Sequence, residues 1–88
     1  MNVPQDILLR YMERRKIDLE LCLANLQDLN FVEIEKVGHQ LKGNGLTFGH
    51  ADLSSIGSHL EVAAAARNIT ELEKAIQDFS HWVNDNIS

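Results

Sequence analysis

"FVEIEKVGHQLKGNGLTFG", residues 31–49, decides the fold of this chain. On a helical wheel turning ~100° per residue, Ile34, Val37, Leu41 and Phe48 cluster within about 40° of one direction, which must be the core face. The segment therefore reads as an amphipathic helix from about 31 to 48. It begins after Asn30, an N-cap followed three residues later by Glu33, and it ends at Gly49, the usual residue for a left-handed C-terminal cap. Yet Gly38, Gly43 and Gly45 lie inside it, and an interior helical Gly costs ~1 kcal/mol against Ala.

The rest of the chain reads the same way. Asn68 and Glu71 repeat the cap signal and open a helix from 69 to about 86, with Ile69, Leu72, Ile76, Phe79, Val83 and Ile87 on one stripe. Between the two, residues 51 to 66 carry Leu53, Ile56, Leu60 and Ala63 on one stripe. Ahead of them, Pro4 stands where a first helical residue is expected. Leu8, Met12, Leu19, Cys22, Leu26 and Leu29 follow at steps of three and four, with Arg15 interrupting the row. This fits either one amphipathic helix or a short extra N-terminal helix leading into a longer one near residues 13–16. No segment alternates with period two, so strands are not expected. Four amphipathic helices with short connections imply an all-α, antiparallel four-helix bundle, one domain spanning residues 1–88.

Composition narrows the function. The 88 residues are 44% hydrophobic, with one Pro and a net charge of −5. That balance is globular, and its sign disfavours nucleic acid and anionic membrane as partners. No apolar run approaches the ~20 residues that span a bilayer. The single Cys22 excludes an internal disulfide, fits a reducing, cytoplasmic compartment and reads as a small buried hydrophobe. The initial Met1 and the short length lean towards a free-standing protein. Tyr11 and Trp82 lie near apolar stripes and read as core or core-edge.

His39 points about 180° away from the core direction on the wheel, so it is not a core histidine. Lys42 follows within side-chain reach, and Gly43 removes the side chain that would crowd the ring. Val32 and Leu46 flank His39 two turns away on either side, within about 20° of it, like the rim of a docking surface. Gly38 and Gly45, at the edge of the core face, read instead as points of close approach for a neighbouring helix. The other histidines, His50, His59 and His81, show no metal-ligand spacing with His39 or each other. No metal site is expected, and His50 reads as a helix start.

An exposed imidazole titrates near ~6.5, so at neutral pH such a ring is mostly an unprotonated nucleophile able to take a phosphoryl group reversibly. Phosphoryl transfer needs positioning and charge neutralisation, which Lys42 could supply. There is no nucleotide loop and no acidic cluster for Mg²⁺, so this is not an enzyme with its own cofactor but a carrier.

His39, Leu41, Lys42, Gly43, Gly49, Leu53, Leu60 and Glu61 together resemble the histidine phosphotransfer (HPt) domain family, with its H-x-L-K-G start, later Gly and closing Leu-Glu. The resemblance covers nearly the whole chain. Asn44 and Gly45 depart from it, standing where small Ser or Ala is common, as does His50 where Ala is frequent. The resemblance implies a monomeric cytoplasmic four-helix bundle with His39 as phosphoacceptor. Lys42 would stabilise charge and Gly43 would give clearance. The partners would be response-regulator receiver domains or a hybrid histidine kinase, with Mg²⁺ on the receiver. The competing expectation is a non-catalytic helical adaptor, which would need none of the His39, Lys42 and Gly43 set.

Overall fold

The four apolar-striped segments fold as α1 (Gln5–Gln27), α2 (Phe31–Thr47), α3 (Ala51–Ala65) and α4 (Ile69–Asn86) in a computed structural model that describes residues 4–87. Met1 lies outside the described residues. The body measures 38 × 20 × 19 Å. A helix of α1's length is ~34 Å long, so the helices must run along the long axis. Successive helices are neighbours, α4 closes the ring against α1, and the backbones of the diagonal pairs stay apart. This is an antiparallel four-helix bundle. Among the described residues, no helix is long and apolar enough to cross a membrane.

α1 is continuous, with no separate short helix near residues 13–16. Pro4 is the residue before its first turn rather than the first helical residue, and its carbonyl accepts from the N–H groups of Ile7 and Leu8. The centre of its buried face is Tyr11, Arg15, Asp18 and Cys22. Leu8, Met12, Leu19 and Leu26 line it half-buried, and Leu29 is exposed beyond the helix. Arg15 therefore does not interrupt the buried row but belongs to it. Its charge is met there: Arg15 Nε lies 2.8 Å from Asp18 Oδ2, and its guanidinium sits 4.4 Å from the centre of the Tyr11 ring. Neither Arg15 Nε nor Oδ2 has hydrogen-bond geometry, so this contact is ionic. The hydrogen bond to Asp18 comes from Arg14, Nε to Oδ1, at 3.1 Å. Burial pushes the Cys22 thiol up to about 12, with the Asp18 charge adding to the effect.

The three connections are copies of one device. After α1, α2 and α3 comes a residue with positive φ: Leu29 (54°), Gly49 (81°) and Arg67 (54°). The next N–H then reaches back to the last turn: Asn30 to the Asn25 carbonyl, His50 to Gly45 and Asn68 to Ala63, at 2.8, 2.7 and 2.9 Å. These are Schellman closures, in which a left-handed residue lets the chain reverse while satisfying end carbonyls. The residue that closes one helix caps the next. At Asn68 the side chain completes the cap, Oδ1 accepting from the Glu71 N–H. At Asn30 it does not, where the backbone is less extended (ψ 77° against 94°).

Phe79, Ile34, Leu41, Leu53, Leu60 and Leu72 are fully buried in the core. Phe48, Ile56 and Ile87 pack half-buried against it, and Ile69, at the start of the α4 stripe, is exposed. At one end, Tyr11 stacks on Phe48 at 4.0 Å and donates to Asn44 Oδ1 at 2.8 Å, while His50 meets Trp82 edge-on at 5.2 Å. Both Tyr11 and Trp82 are buried.

α2 and α3 form the most extensive interface, and glycine makes it. A Cβ on Gly38 would stand 2.6 Å from the Glu61 nitrogen, one on Gly45 2.7 Å from the Ser54 nitrogen, and one on Gly57 2.5 Å from the Lys42 nitrogen. All are backbone atoms that cannot step aside. Around Gly43 there is nothing within 4 Å. Gly57→Ala should therefore destabilise the bundle by about 1–3 kcal/mol in denaturant unfolding, because overpacking outweighs helix propensity. Gly43→Ala should leave stability unchanged or raise it by up to ~1 kcal/mol.

Candidate functional site

His39 lies on the outer face of α2, its side chain 73% exposed. Gly38 beside it is one of the points where α3 approaches closely, and that approach delivers Glu61 to the imidazole. His39 Nδ1 is 2.7 Å from Glu61 Oε2, and Lys42 Nζ is 3.4 Å from Glu61 Oε1. One carboxylate thus bridges the histidine and the lysine. A shallow groove of about 290 Å³ opens beside them, lined by Glu35, Lys36, His39, Gln40 and Glu61. Lys36 in turn is paired with Glu33 at 3.3 Å.

The bridge has chemical consequences. The hydrogen bond from the His39 ring holds the Glu61 carboxyl below its usual range. Lys42 adds to this through its own hydrogen bond and charge, against partial burial, which pulls the other way. An ionised carboxylate only accepts, so the shared proton belongs to Nδ1. In the neutral ring the lone pair is then on Nε2, at the solvent end, and Nε2 makes no hydrogen bond among the described residues. The arrangement can present an imidazole nucleophile of fixed tautomer beside an ammonium group.

Comparison of the chain with protein-family models, with curated proteins and with solved structures found no match.

His39, Lys42 and Gly43 share the outer face of α2, and a side chain at Gly43 would point into open space. Val32 and Leu46 are 56% and 64% exposed on that helix, apolar groups left in solvent two turns to either side of His39. Lys42 makes no hydrogen bond to the ring; its hydrogen bond goes to Glu61. Glu61 belongs to the motif, but a helical wheel cannot show that it meets a partner on another helix. Gly57 carries no sequence signal beyond its small size, yet its missing side chain lets α3 reach the Lys42 backbone.

The remaining histidines are dispersed. His50 precedes α3, half-buried between Tyr11 and Trp82. His81 is exposed on α4. His59 repeats the His–carboxylate–Lys arrangement: Nε2 is 3.0 Å from Glu71 Oε2, and Lys74 Nζ is 3.4 Å from Oε1. The Glu71 carboxyl is likewise held low, first by the hydrogen bond with His59.

For a carboxyl whose folded-state pKa lies below the unfolded one, the stabilising contact is complete above the ordinary glutamate range, near ~4.3, and is lost as pH falls through the lowered value. An NMR titration should accordingly find the Glu61 side-chain midpoint below that range. In His39→Ala the midpoint should move up, since the largest cause is gone. A midpoint that does not move would mean that the ring and the carboxylate do not meet in solution.

Proposed function

We propose that this chain is a phosphoryl carrier of the histidine phosphotransfer type, with His39 as the acceptor. One observation carries the proposal: Glu61 engages Nδ1 of an exposed imidazole and leaves Nε2 free. The carrier takes the phosphoryl group from one receiver-domain aspartate and gives it to another, or exchanges it with a hybrid histidine kinase. Mg²⁺ and the acidic residues that hold it belong to the receiver. The chain acts as a single cytoplasmic domain and a monomer.

The residues divide the work. His39 Nε2 attacks phosphorus. Lys42, parked on Glu61, is close enough to turn its ammonium group to the phosphoryl oxygens, where it offsets their charge. Gly43 leaves the approach to the ring open, and Val32 and Leu46 offer apolar contact to the docking partner.

Incubation with a phosphorylated receiver domain should place acid-labile, base-stable label on this chain. His39→Gln should keep the fold and abolish the label. Label that persists would move the site to His50, His59 or His81, while a folded wild-type chain that never labels would be a helical adaptor. Lys42→Ala should slow transfer by a factor on the order of 10, a partial loss because the contact is half in solvent.

Docking separates from chemistry at Gly43. Gly43→Leu should fold at least as stably as the wild type, because the added side chain meets nothing. It should still accept phosphate from phosphoramidate, a small donor, and lose most receiver-dependent labelling. Leu46→Asp should weaken receiver binding without destabilising the bundle. Receiver-dependent transfer at the normal rate in Gly43→Leu would show that clearance there is irrelevant.

A further inference from the structure

α1 carries two seams, and the one it buries is the less apolar. Leu8, Tyr11, Arg15, Asp18 and Cys22, at steps of three and four, turn towards the core. Beside them Leu9, Met12, Lys16, Leu19, Leu23 and Leu26 recur at the same steps, a heptad row interrupted by one cation. This second seam lies along the groove between α1 and α4, the smallest of the four helix–helix interfaces, and α4 covers it incompletely. Leu9 and Leu23 stay 60% and 49% exposed, while Met12, Lys16, Leu19 and Leu26 are half-buried. At its C-terminal end a cleft of about 290 Å³ opens, lined by Leu23, Leu26, Glu73, Ile76, Gln77 and Ser80.

We propose that a second copy of this chain docks in that groove, the α1 seam of each copy lying antiparallel against that of the other. The seam is complementary to itself in this direction. Leu9, Lys16 and Leu23 take one of the two heptad core positions, and Met12, Leu19 and Leu26 take the other. In an antiparallel pair each position meets its opposite number, and a single register uses all six residues. Leu9 meets Leu26 of the second copy, Met12 meets its Leu23, and Lys16 meets its Leu19. Leu9 and Met12 are thereby brought to the cleft beside Leu23 and Leu26, and the unbranched Met side chain adapts well to such a gap.

Lys16 sets the direction. A parallel pair would place Lys16 against Lys16 in the middle of the seam, two like charges with their water removed. Reversed, its aliphatic stem lies over Leu19 of the second copy and its ammonium group reaches out to the Glu20 carboxylate next to it. Among the described residues neither Lys16 nor Glu20 forms an ion pair within its own chain, so both are available. The seam is only ~25 Å long, short for a specific interface, so the pair is weak, with a Kd on the order of 10–100 µM. The dilute chain is a monomer and pairs as its concentration rises. α1 and α4 form the edge of the ring opposite α2 and α3, so pairing leaves His39 of both copies facing outward, each open to its own partner.

Sedimentation equilibrium of the full chain, from micromolar to about 1 mM, tests this. The wild type should pass from monomer to dimer, and Leu23→Glu should weaken pairing at least tenfold while His39 still takes label from phosphoramidate. Lys16→Glu should weaken it too, and Lys16→Glu combined with Glu20→Lys should restore it, a rescue that loss of fold would not produce. Circular dichroism confirms that each variant is folded. The direction is read by oxidising a mixture of Leu9→Cys and Leu26→Cys chains, which should cross-link to each other and not to themselves. Cys22 stays out of the reaction, buried and with its thiol pushed up to about 12. A wild type that remains monomeric at about 1 mM overturns the second copy as occupant, and the groove then suits a helix of another protein. Dimerisation unchanged in folded Leu23→Glu, or no rescue by the charge exchange, overturns the seam. Cross-links between Leu9→Cys chains alone overturn the antiparallel register. Failure of the wild type to label on His39 would sink the phosphocarrier reading and leave the pairing result standing, because sedimentation does not depend on phosphate.

Discussion

The backbone contact between α2 and α3 at Gly38, Gly45 and Gly57 is the constraint on which the rest depends. Each glycine lies where a single methyl group would strike backbone of the other helix. Their absence of side chains lets the two axes approach more closely than larger residues allow. Ser54 completes the seam by donating its hydroxyl to the Lys42 carbonyl at 2.7 Å. Because Gly38 touches the Glu61 nitrogen, the closeness of the helices fixes how far the Glu61 carboxylate reaches, and it reaches the His39 ring. The propensity cost of those glycines, ~1 kcal/mol each, is offset by an interface that larger residues could not form. Gly43 stands apart, since no packing explains it.

α1 is attached by different means. It joins the bundle through smaller interfaces with α2 and α4, and the middle of its buried face is charged. Asp18 is 1% exposed and meets two arginines, while Tyr11 carries an arginine on one side and Phe48 on the other. Such a buried pair adds little net stability, because desolvation consumes most of the attraction, but losing one partner strands the other charge. Arg14, Arg15 and Asp18 all belong to α1, so these pairs neutralise buried charge within one helix, and the side chain that anchors α1 to α2 is Tyr11, through Asn44 and Phe48. Burial raises the Tyr11 phenol, keeping it a neutral donor to Asn44. α1 thereby ties into α2 near the end opposite Val32, away from the exposed histidine face.

What the sequence makes legible follows from what is local. Helix periodicity and the Gly49 cap are local signals, and they place α2, α3 and α4 to within a residue, while the first stripe leaves one helix or two open. The wheel position of His39 depends only on its own helix, so its exposure is legible as well. Leu29 and Arg67 are not legible as left-handed residues, because their closures depend on three-dimensional chain reversal and not on a glycine. Arg15 reads as an interruption because its partner, three residues away, is an acid that polarity alone assigns to solvent. Glu61 belongs to a recognisable motif, but its hydrogen bond spans 22 residues and two helices. The distance between those helices is set by Gly57, whose role appears only when the opposite backbone is in view.

The repetition of the carboxylate bridge at His59 shows why residue type alone does not make a site. Both places pair an imidazole with a glutamate that also holds a lysine, at similar distances. They differ in which ring nitrogen is taken. Glu71 occupies Nε2, the distal nitrogen, leaving His59 with Nδ1, which sits next to its own Cβ and backbone on a half-buried side chain. Glu61 takes Nδ1 and turns the distal nitrogen outward on a side chain that is mostly in solvent. A large electrophile can approach the second along the ring axis but must cross the helix surface to reach the first. The choice of nitrogen follows from the direction of the acid: Glu71 comes from α4 across the tip of the His59 ring, whereas Glu61 comes from α3, brought in close beside the base of the His39 ring by the glycine seam. The seam that holds the bundle together thus also selects which of two chemically similar histidines faces outward with a free lone pair.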